Sequence, residues 1–388
     1  MTDLDVRTAK RPTLLTRQMI FLLVASIGST GSFYLLISVV PLYAATSGAG
    51  GMGAGLSTGV MMLATVLMEL AAPTLLSRFG YRAGFGLGLL LLGVPSALLA
   101  ASPALPLVLA VCLARGAGLG IVVVAGPAMI AELVPDERRG EALGLYGLAV
   151  GVPAIVGLPL GLWLSVHLGY GPVFAAGAAA SLAALATLVG LPAARGRIDK
   201  HAGVLAGLRD GALARPATIF SAITLAAGIL LTFLPIAVPA TSRGTAALAL
   251  LVQAATMPLA RWLAGRYGDR HGTARLLLPS VFTAALGTTG LIWLHNPYAL
   301  VTGAALFGIG FGAAQNVTLT LMFQRSPKTE FGRVSALWNL AYDGGMGIGA
   351  TGFGLMAGLV GYPAGFALTA AVLFLALIPA RLDRRRTP

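Results

Sequence analysis

Charge is the scarcest thing in this sequence. Of its 388 residues only 10% are Asp, Glu, Lys or Arg, against 57% apolar. A water-soluble domain carries about 25% charged residues, because its surface must face solvent. A chain this long would need two or three such polar skins, so a soluble enzyme is excluded. Cysteine is almost missing as well: Cys112 stands alone, which excludes a disulfide within the chain and a cysteine-built zinc site. The four histidines (His167, His201, His271 and His295) are scattered singly, never at metal-ligand spacing. There is no GxxxxGK[ST] phosphate loop and no nucleophile constellation. No enzymatic activity, cofactor or metal is expected.

What the sequence does have is long apolar runs. A helix needs roughly 20 apolar residues to cross about 30 Å of hydrocarbon. Such runs lie near 19–44, 53–76, 83–102, 105–131, 142–164 and 172–191, and again near 217–240, 246–264, 275–294, 298–323, 334–359 and 362–380. They are continuous rather than alternating with period two, which argues against a membrane barrel. The first run follows Arg7, Lys10, Arg11 and Arg17 but is too long for a signal peptide, and reads as an uncleaved first helix. The expected fold is therefore an all-α membrane protein with twelve transmembrane helices.

The net charge of +13 would suit a nucleic-acid binder if the basic residues were clustered on one surface. Instead 24 of the 26 fall on one side of the membrane when the amino terminus is placed in the cytoplasm; the exceptions are Arg115, inside a helix, and Arg243, in an opposite loop. Cytoplasmic loops carry the excess of Lys and Arg, so both termini are expected inside, with the positive charge facing anionic lipid and no nucleic acid.

Residues 192–216 form a polar connection with five basic side chains that divides the runs six and six. It has room for a short surface helix around Val204–Leu213. A shift of 192 residues superimposes the two parts: Arg78 and Gly80 fall on Arg270 and Gly272, and Gly116, Gly118 and Gly120 on Gly308, Gly310 and Gly312. Pro135 and Gly140 fall on Pro327 and Gly332, and Gly157, Gly169, Tyr170 and Phe174 on Gly349, Gly361, Tyr362 and Phe366. One shift holding over three loops marks an internal repeat. The expected domains are residues 1–191 and 217–388, two six-helix halves of the kind that carry substrate between them by alternating access.

The segments AVCLARGAGLG (110–120), AELVPDERRGEALGLYG (131–147) and GRYGDRHG (265–272) resemble the major facilitator superfamily. The text ALWNLAYDGGMGIGATGFG (336–354), followed by GYPAGF, is similar to its bacterial drug-and-metabolite efflux branch, including proteins described as sugar efflux permeases. The resemblance implies a loop signature Gly-x-x-x-Asp-Arg-x-Gly, complete here as Gly265, Asp269, Arg270 and Gly272. The first half departs from it with Pro73, Ser77, Arg78 and Gly80. In this reading Asp269 docks on the amino end of the fifth span, near Arg138, Arg139, Gly140 and Glu141, where the helix dipole is positive. Ser77 supplies a weaker contact without the charge.

The fifth span carries Gly147, Gly151, Pro153, Gly157, Pro159 and Gly161, and glycines near spacing four allow close helix packing. The resemblance links such a helix to exporters. Charges inside the membrane cost at least about 2.5–3.5 kcal/mol each on insertion scales and so face a cavity or a partner. Arg115 matches the superfamily's fourth-helix arginine, which the resemblance links to proton transfer; bonding to backbone carbonyls is the alternative. Glu69 and Asp343 lie about 12 and 15 Å inside the basic edge, by their residue spacing from Ser77 and Arg333. The resemblance sets their helices side by side, so the two acids are expected to meet and carry the proton, with Arg261, the repeat partner of Glu69, at equal depth. Pairing of those acids with arginines for structure alone is the competing account.

Ser32, Tyr34, Ser38, Gln253, Gln315, Asn316, Trp338, Asn339 and Tyr342 are candidate cavity residues suited to a mostly neutral organic ligand. The expected function is proton-coupled export of a small organic compound by a monomer in the bacterial inner membrane, its partners being that substrate, protons and lipid. Proton symport of a sugar or organic acid and a transport-inactive sensor are the alternatives.

Overall fold

In hydrocarbon every backbone amide and carbonyl must find its partner within the chain, and a helix does this segment by segment. The computed structural model describes residues 15–135, 138–191, 207, 209–327 and 330–384, and among them regular structure is entirely helical. In chain order the helices are α1 (Arg17–Leu36), α2 (Val39–Ala44), α3 (Gly50–Phe79), α4 (Tyr81–Leu98), α5 (Leu105–Leu133), α6 (Arg139–His167) and α7 (Tyr170–Ala184). After the connection come α8 (Gly211–Ala237), α9 (Arg243–His271), α10 (Leu277–Gly290), α11 (Pro297–Gln324), α12 (Phe331–Val360), α13 (Tyr362–Leu375) and α14 (Leu377–Arg384).

Nine helical stretches among the described residues are long and apolar enough to cross a membrane. The first of these, Arg17–Phe79, turns back on itself at Gly48 and Gly50, whose φ angles of 91° and 51° only glycine adopts readily. It is thus two passes, α1 with α2 and then α3. The short α10 and the glycine-rich α12 complete the bundle, so the chain runs through it twelve times.

The structure moves several boundaries. The eighth pass, expected to end near 264, continues as α9 to His271, which places Arg266, Asp269 and Arg270 on a helix rather than in a loop. The seventh begins at Gly211, capped by Asp210 through the Ala212 amide (2.9 Å), so Pro216 belongs to α8 and not to the connection. Residues 192–206 and 208 lie outside the described residues; of the surface helix expected around Val204–Leu213, Gly211–Leu213 form the first turn of α8.

The internal repeat reappears as packing. Gly116 and Gly120 of α5 sit against the carbonyls of Met61 and Thr65 on α3, and Gly308 and Gly312 of α11 sit against those of Gln253 and Met257 on α9. Gly118 meets the Gly88 carbonyl on α4, and Gly310 the Ser280 carbonyl on α10. Glycine and partner are displaced by the same 192 residues in every case. The turn glycines follow suit: Gly80 and Gly272 have φ of 85° and 91°, and Gly169 and Gly361 have 82° and 78°.

The two ends of the bundle differ. Away from the basic loops, Gly55 of α3 lies against Ala350 and Gly354 of α12, Gly59 against Thr351, and the hydroxyls of Thr58 (α3) and Thr232 (α8) share a hydrogen bond of 2.9 Å. Buried residues of α3 crowd between Gly53 and Thr65; beyond them only Ala72 and Leu76 are buried toward the basic end. The charge-poor end is sealed and the basic end is looser.

This packing makes a direct comparison possible. A Cβ on Gly312 would overlap the Met257 carbonyl oxygen, whereas one on Gly352 would meet nothing within 4 Å. Gly312→Ala should therefore lower the melting temperature in detergent by several degrees, the effect of about 1–3 kcal/mol of overpacking. Gly352→Ala should leave it unchanged or raise it slightly.

Candidate functional site

Three helices bring charge to one level of the bundle. Glu69 lies ten residues before the end of α3, and Arg261 ten before the end of α9, so each is about 15 Å from the basic end. Asp343 lies twelve residues into α12, about 18 Å along it. Because α3 and α12 pack against each other, the Glu69 and Asp343 carboxyl groups come within hydrogen-bonding reach. An ionised carboxylate only accepts, so a hydrogen bond between two carboxyl groups requires one of them to hold a proton. Glu69 Oε1 is buried with no partner, a position that a water or a migrating proton can use.

Arg261 donates from Nη1 to Gln315 Oε1 on α11 (3.2 Å), and the Gln315 amide in turn points at Met257 Sδ (3.3 Å). Tyr34 of α1 and Tyr342 of α12 lie within electrostatic reach of both Arg261 and Asp343. Although ringed by these helices, the Arg261 side chain is exposed, and Tyr34, Glu69, Tyr342 and Asp343 are half-buried. The space between these incompletely buried side chains is the candidate cleft. An open groove of about 470 Å³ between Arg82, Leu90 and Leu188 lies elsewhere, along α4 and residues 185–190.

Arg115 stands apart from this group. It is 1% exposed, donating to Ser96 Oγ on α4 (2.9 Å) and to the Ser32 carbonyl on α1 (3.1 Å), with Cys112 beside it. It ties three helices together and faces neither carboxyl group in this conformation. The reason is rotational: Gly116 turns the adjacent face of α5 onto α3, which leaves Arg115 pointing between α1 and α4.

The candidate cavity residues separate in the same way. Tyr34, Gln315 and Tyr342 join the charged group, while Asn316 (beside Gly265) and Asn339 are half-buried. Ser32, Ser38 and Gln253 are buried in helix interfaces, each with a side-chain oxygen lacking a partner. Trp338 is a packing residue: its indole donates to Thr318 Oγ1 (3.1 Å) and stacks on Phe220 at 4.6 Å.

On α6, Gly157 and Gly161 lie against the backbone of α1 at Tyr34 and Leu35, as the spacing predicts. Gly147 and Gly151 do not pack; open space lies where their Cβ atoms would be. Pro159 is half-buried on the same helix. Ser77 spends its hydroxyl on the Thr74 carbonyl of its own helix (2.9 Å) rather than on a neighbouring helix. Asp269 is exposed in the last turn of α9, as are Arg78 and Arg270 near the ends of α3 and α9. The side chains of Arg139 and Glu141, and the surroundings of Gly140, lie outside the described residues.

Sequence reasoning missed the Thr58–Thr232 contact, because threonine pairs carry no signal until two helices are known to touch. It also missed Arg325, which forks onto the buried Asp383 (2.9 and 2.7 Å) and donates to the Ala212 carbonyl (3.1 Å), pinning α14 to α8. An acid beside a run of terminal arginines reads as one more surface charge.

Comparison with known proteins places this geometry. The sequence profile of the Major Facilitator Superfamily matches residues 22–241 and 217–388. An uncharacterized MFS-type transporter of Bacillus subtilis, YfiU, is 34% identical over 87 residues, a match spanning 22% of this chain and 17% of that protein. Among solved structures, a D-xylose-proton symporter superposes with a TM-score of 0.77 at 16% identity, covering 95% of this chain and 98% of that one. A mutant of the nucleoside transporter NupG gives 0.76 at 13%, covering 94% and 99%. The inward-open xylose transporter XylE from E. coli gives 0.75 at 15%, covering 96% and 97%. At these identities the structures share the fold.

Accessibility of the cleft is testable against a silent background, since native Cys112 is only 2% exposed. Asn339→Cys should react with a charged thiol reagent at least about tenfold faster than Thr232→Cys, which sits in the seal. Equal rates would mean that the two ends are equally open.

Proposed function

From the premise that the chain belongs to the Major Facilitator Superfamily, we propose that it exports a small organic compound across the bacterial inner membrane in exchange for protons. The two six-helix halves, residues 1–191 and, from the start of α8, 211–388, rock about the cleft as a monomer, with both termini in the cytoplasm. The observation that carries this reading is the contact between Glu69 and Asp343 across α3 and α12. It is a proton-holding pair whose two members sit on different halves. Rocking that closes the basic end and parts α3 from α12 at the charge-poor end changes the spacing of the pair, and with it the hold on the shared proton. The site thereby binds a proton in one state and releases it in the other, which coupling requires. The basic end, open in this conformation, is the cytoplasmic mouth in this reading, as the distribution of Lys and Arg indicates. Export rather than uptake is supported by the resemblance of residues 336–354 to efflux carriers.

Inverted vesicles with a pH-sensitive dye test both coupling and direction. Substrate added outside should release protons from the acidified lumen in antiport; symport gives the opposite sign, and a sensor gives none. Asp343→Asn should abolish gradient-driven export while substrate counterflow persists, and Glu69→Gln should do the same or flatten the pH dependence. Full gradient-driven export by the double variant would sink the proton-pair reading.

The loop residues give a second comparison. Asp269→Asn removes a charge at the end of α9 but keeps its shape, whereas Ser77→Ala removes a hydroxyl bonded within its own helix. Transport should fall far more in Asp269→Asn, on the order of tenfold if one charge-assisted contact of about 1.5 kcal/mol is lost. Similar rates in the two variants would mean that no such latch forms.

A further inference from the structure

Resting on the reading of the cleft as the transport site, we propose that Arg261 binds an oxyanion of the substrate, and that the compounds carried are small organic acids bearing a carboxylate. Arg261 has no anionic counterpart among the described residues. Glu69 and Asp343 lie within hydrogen-bonding reach of each other on packed helices, and a hydrogen bond between them requires that one carries a proton. Neither comes within ion-pair distance of Arg261; the ion pairs among the described residues are Arg325–Asp383 and Arg333–Glu330. Among the described residues, the side-chain oxygen that Arg261 engages is the neutral Gln315 Oε1. A cation at membrane depth without an anion is costly and is normally matched by a partner.

The repeat shows where that partner is missing. Glu69 and Arg261 are equivalent under the 192-residue shift, so α9 carries a cation where α3 carries an acid. Asp343, which answers Glu69, is equivalent to Gly151 on α6. The helices α6 and α9 pack together just as α3 and α12 do, but Gly151 offers no charge and leaves open space beside it. One helix pair therefore satisfies itself, while the other presents an arginine opposite a gap. Beyond the Nη1–H on Gln315, the guanidinium has further donors in its plane, and that fork matches the two oxygens of a carboxylate. Tyr34 and Tyr342, both near Arg261, supply hydroxyls to the same group and apolar ring surface to the body of the ligand. The largely neutral ligand expected from the cavity residues gives way to an organic anion.

The test uses matched pairs that differ only in charge: benzoate with benzamide, hexanoate with hexanamide, and succinate with succinamide. Thermal stabilisation of the purified full chain in detergent should occur with acids and not with amides. Arg261→Gln should weaken the apparent affinity for the acids at least about tenfold, the loss of a charge-assisted hydrogen bond. Arg261→Lys, which keeps the charge without the fork, should weaken it less and serves as the second variant should Arg261→Gln not fold. The double variant Glu69→Gln, Asp343→Asn should still bind acids even when uncoupled, so failure of proton coupling and failure of anion binding are separately visible. Amides that stabilise as well as their acids overturn the assignment. So does a panel in which no acid shifts the wild-type protein more than it shifts Arg261→Gln.

Discussion

Close approach of backbones at glycine is the constraint on which the bundle depends. In lipid there is no hydrophobic gain in bringing two apolar helices together, so association rests on van der Waals fit and on hydrogen bonds. At Gly116, Gly120, Gly308 and Gly312 one helix lies directly on the carbonyls of another, and the missing side chains are what permit it. These contacts fix the rotation of each helix about its axis. Rotation then decides which residues reach the cleft: with Gly116 turned onto α3, Arg115 is directed to Ser96 and Ser32. The placement of the charged groups is thus a consequence of where the chain has no side chain at all.

Much of the architecture was legible in the sequence, for physical reasons. Length and continuity of apolar runs report on hydrocarbon thickness, and the 192-residue shift reports on a duplicated packing scheme. The depth of Glu69, Arg261 and Asp343 followed from rise per residue alone. The meeting of Glu69 with Asp343 was expected only through the resemblance, which sets their helices side by side; the engagement of Arg261 with Gln315 was not foreseen, because spacing along one helix gives no azimuth relative to another. Helix ends were read least well. The polar end of α9, from Gly265 to His271, resembles a loop in composition and continues as helix.

Glycine-rich helices illustrate the same limit. These glycines on α6 come as two pairs four residues apart, yet Gly157 and Gly161 touch α1 while Gly147 and Gly151 face open space. On α12, Gly345 and Gly349 serve α8, Gly347 and Gly354 serve α3, and Gly344 and Gly352 serve neither. A glycine pattern states that close packing is permitted; only the neighbouring helix determines where it is used.

The seal between Thr58 and Thr232 has a consequence for how the barrier moves. A salt bridge there would be hard to part, because separation would strand two charges in a dry interface. A hydroxyl is different, since it can turn back to a carbonyl one turn earlier on its own helix, as Thr65 does with Met61 (2.9 Å). Breaking the threonine contact forfeits about 0.5–1.5 kcal/mol and leaves no polar group stranded. The barrier at that end is therefore a shallow one: steric closure by small residues keeps it shut, and the polar contact within it adds registration without adding a lock.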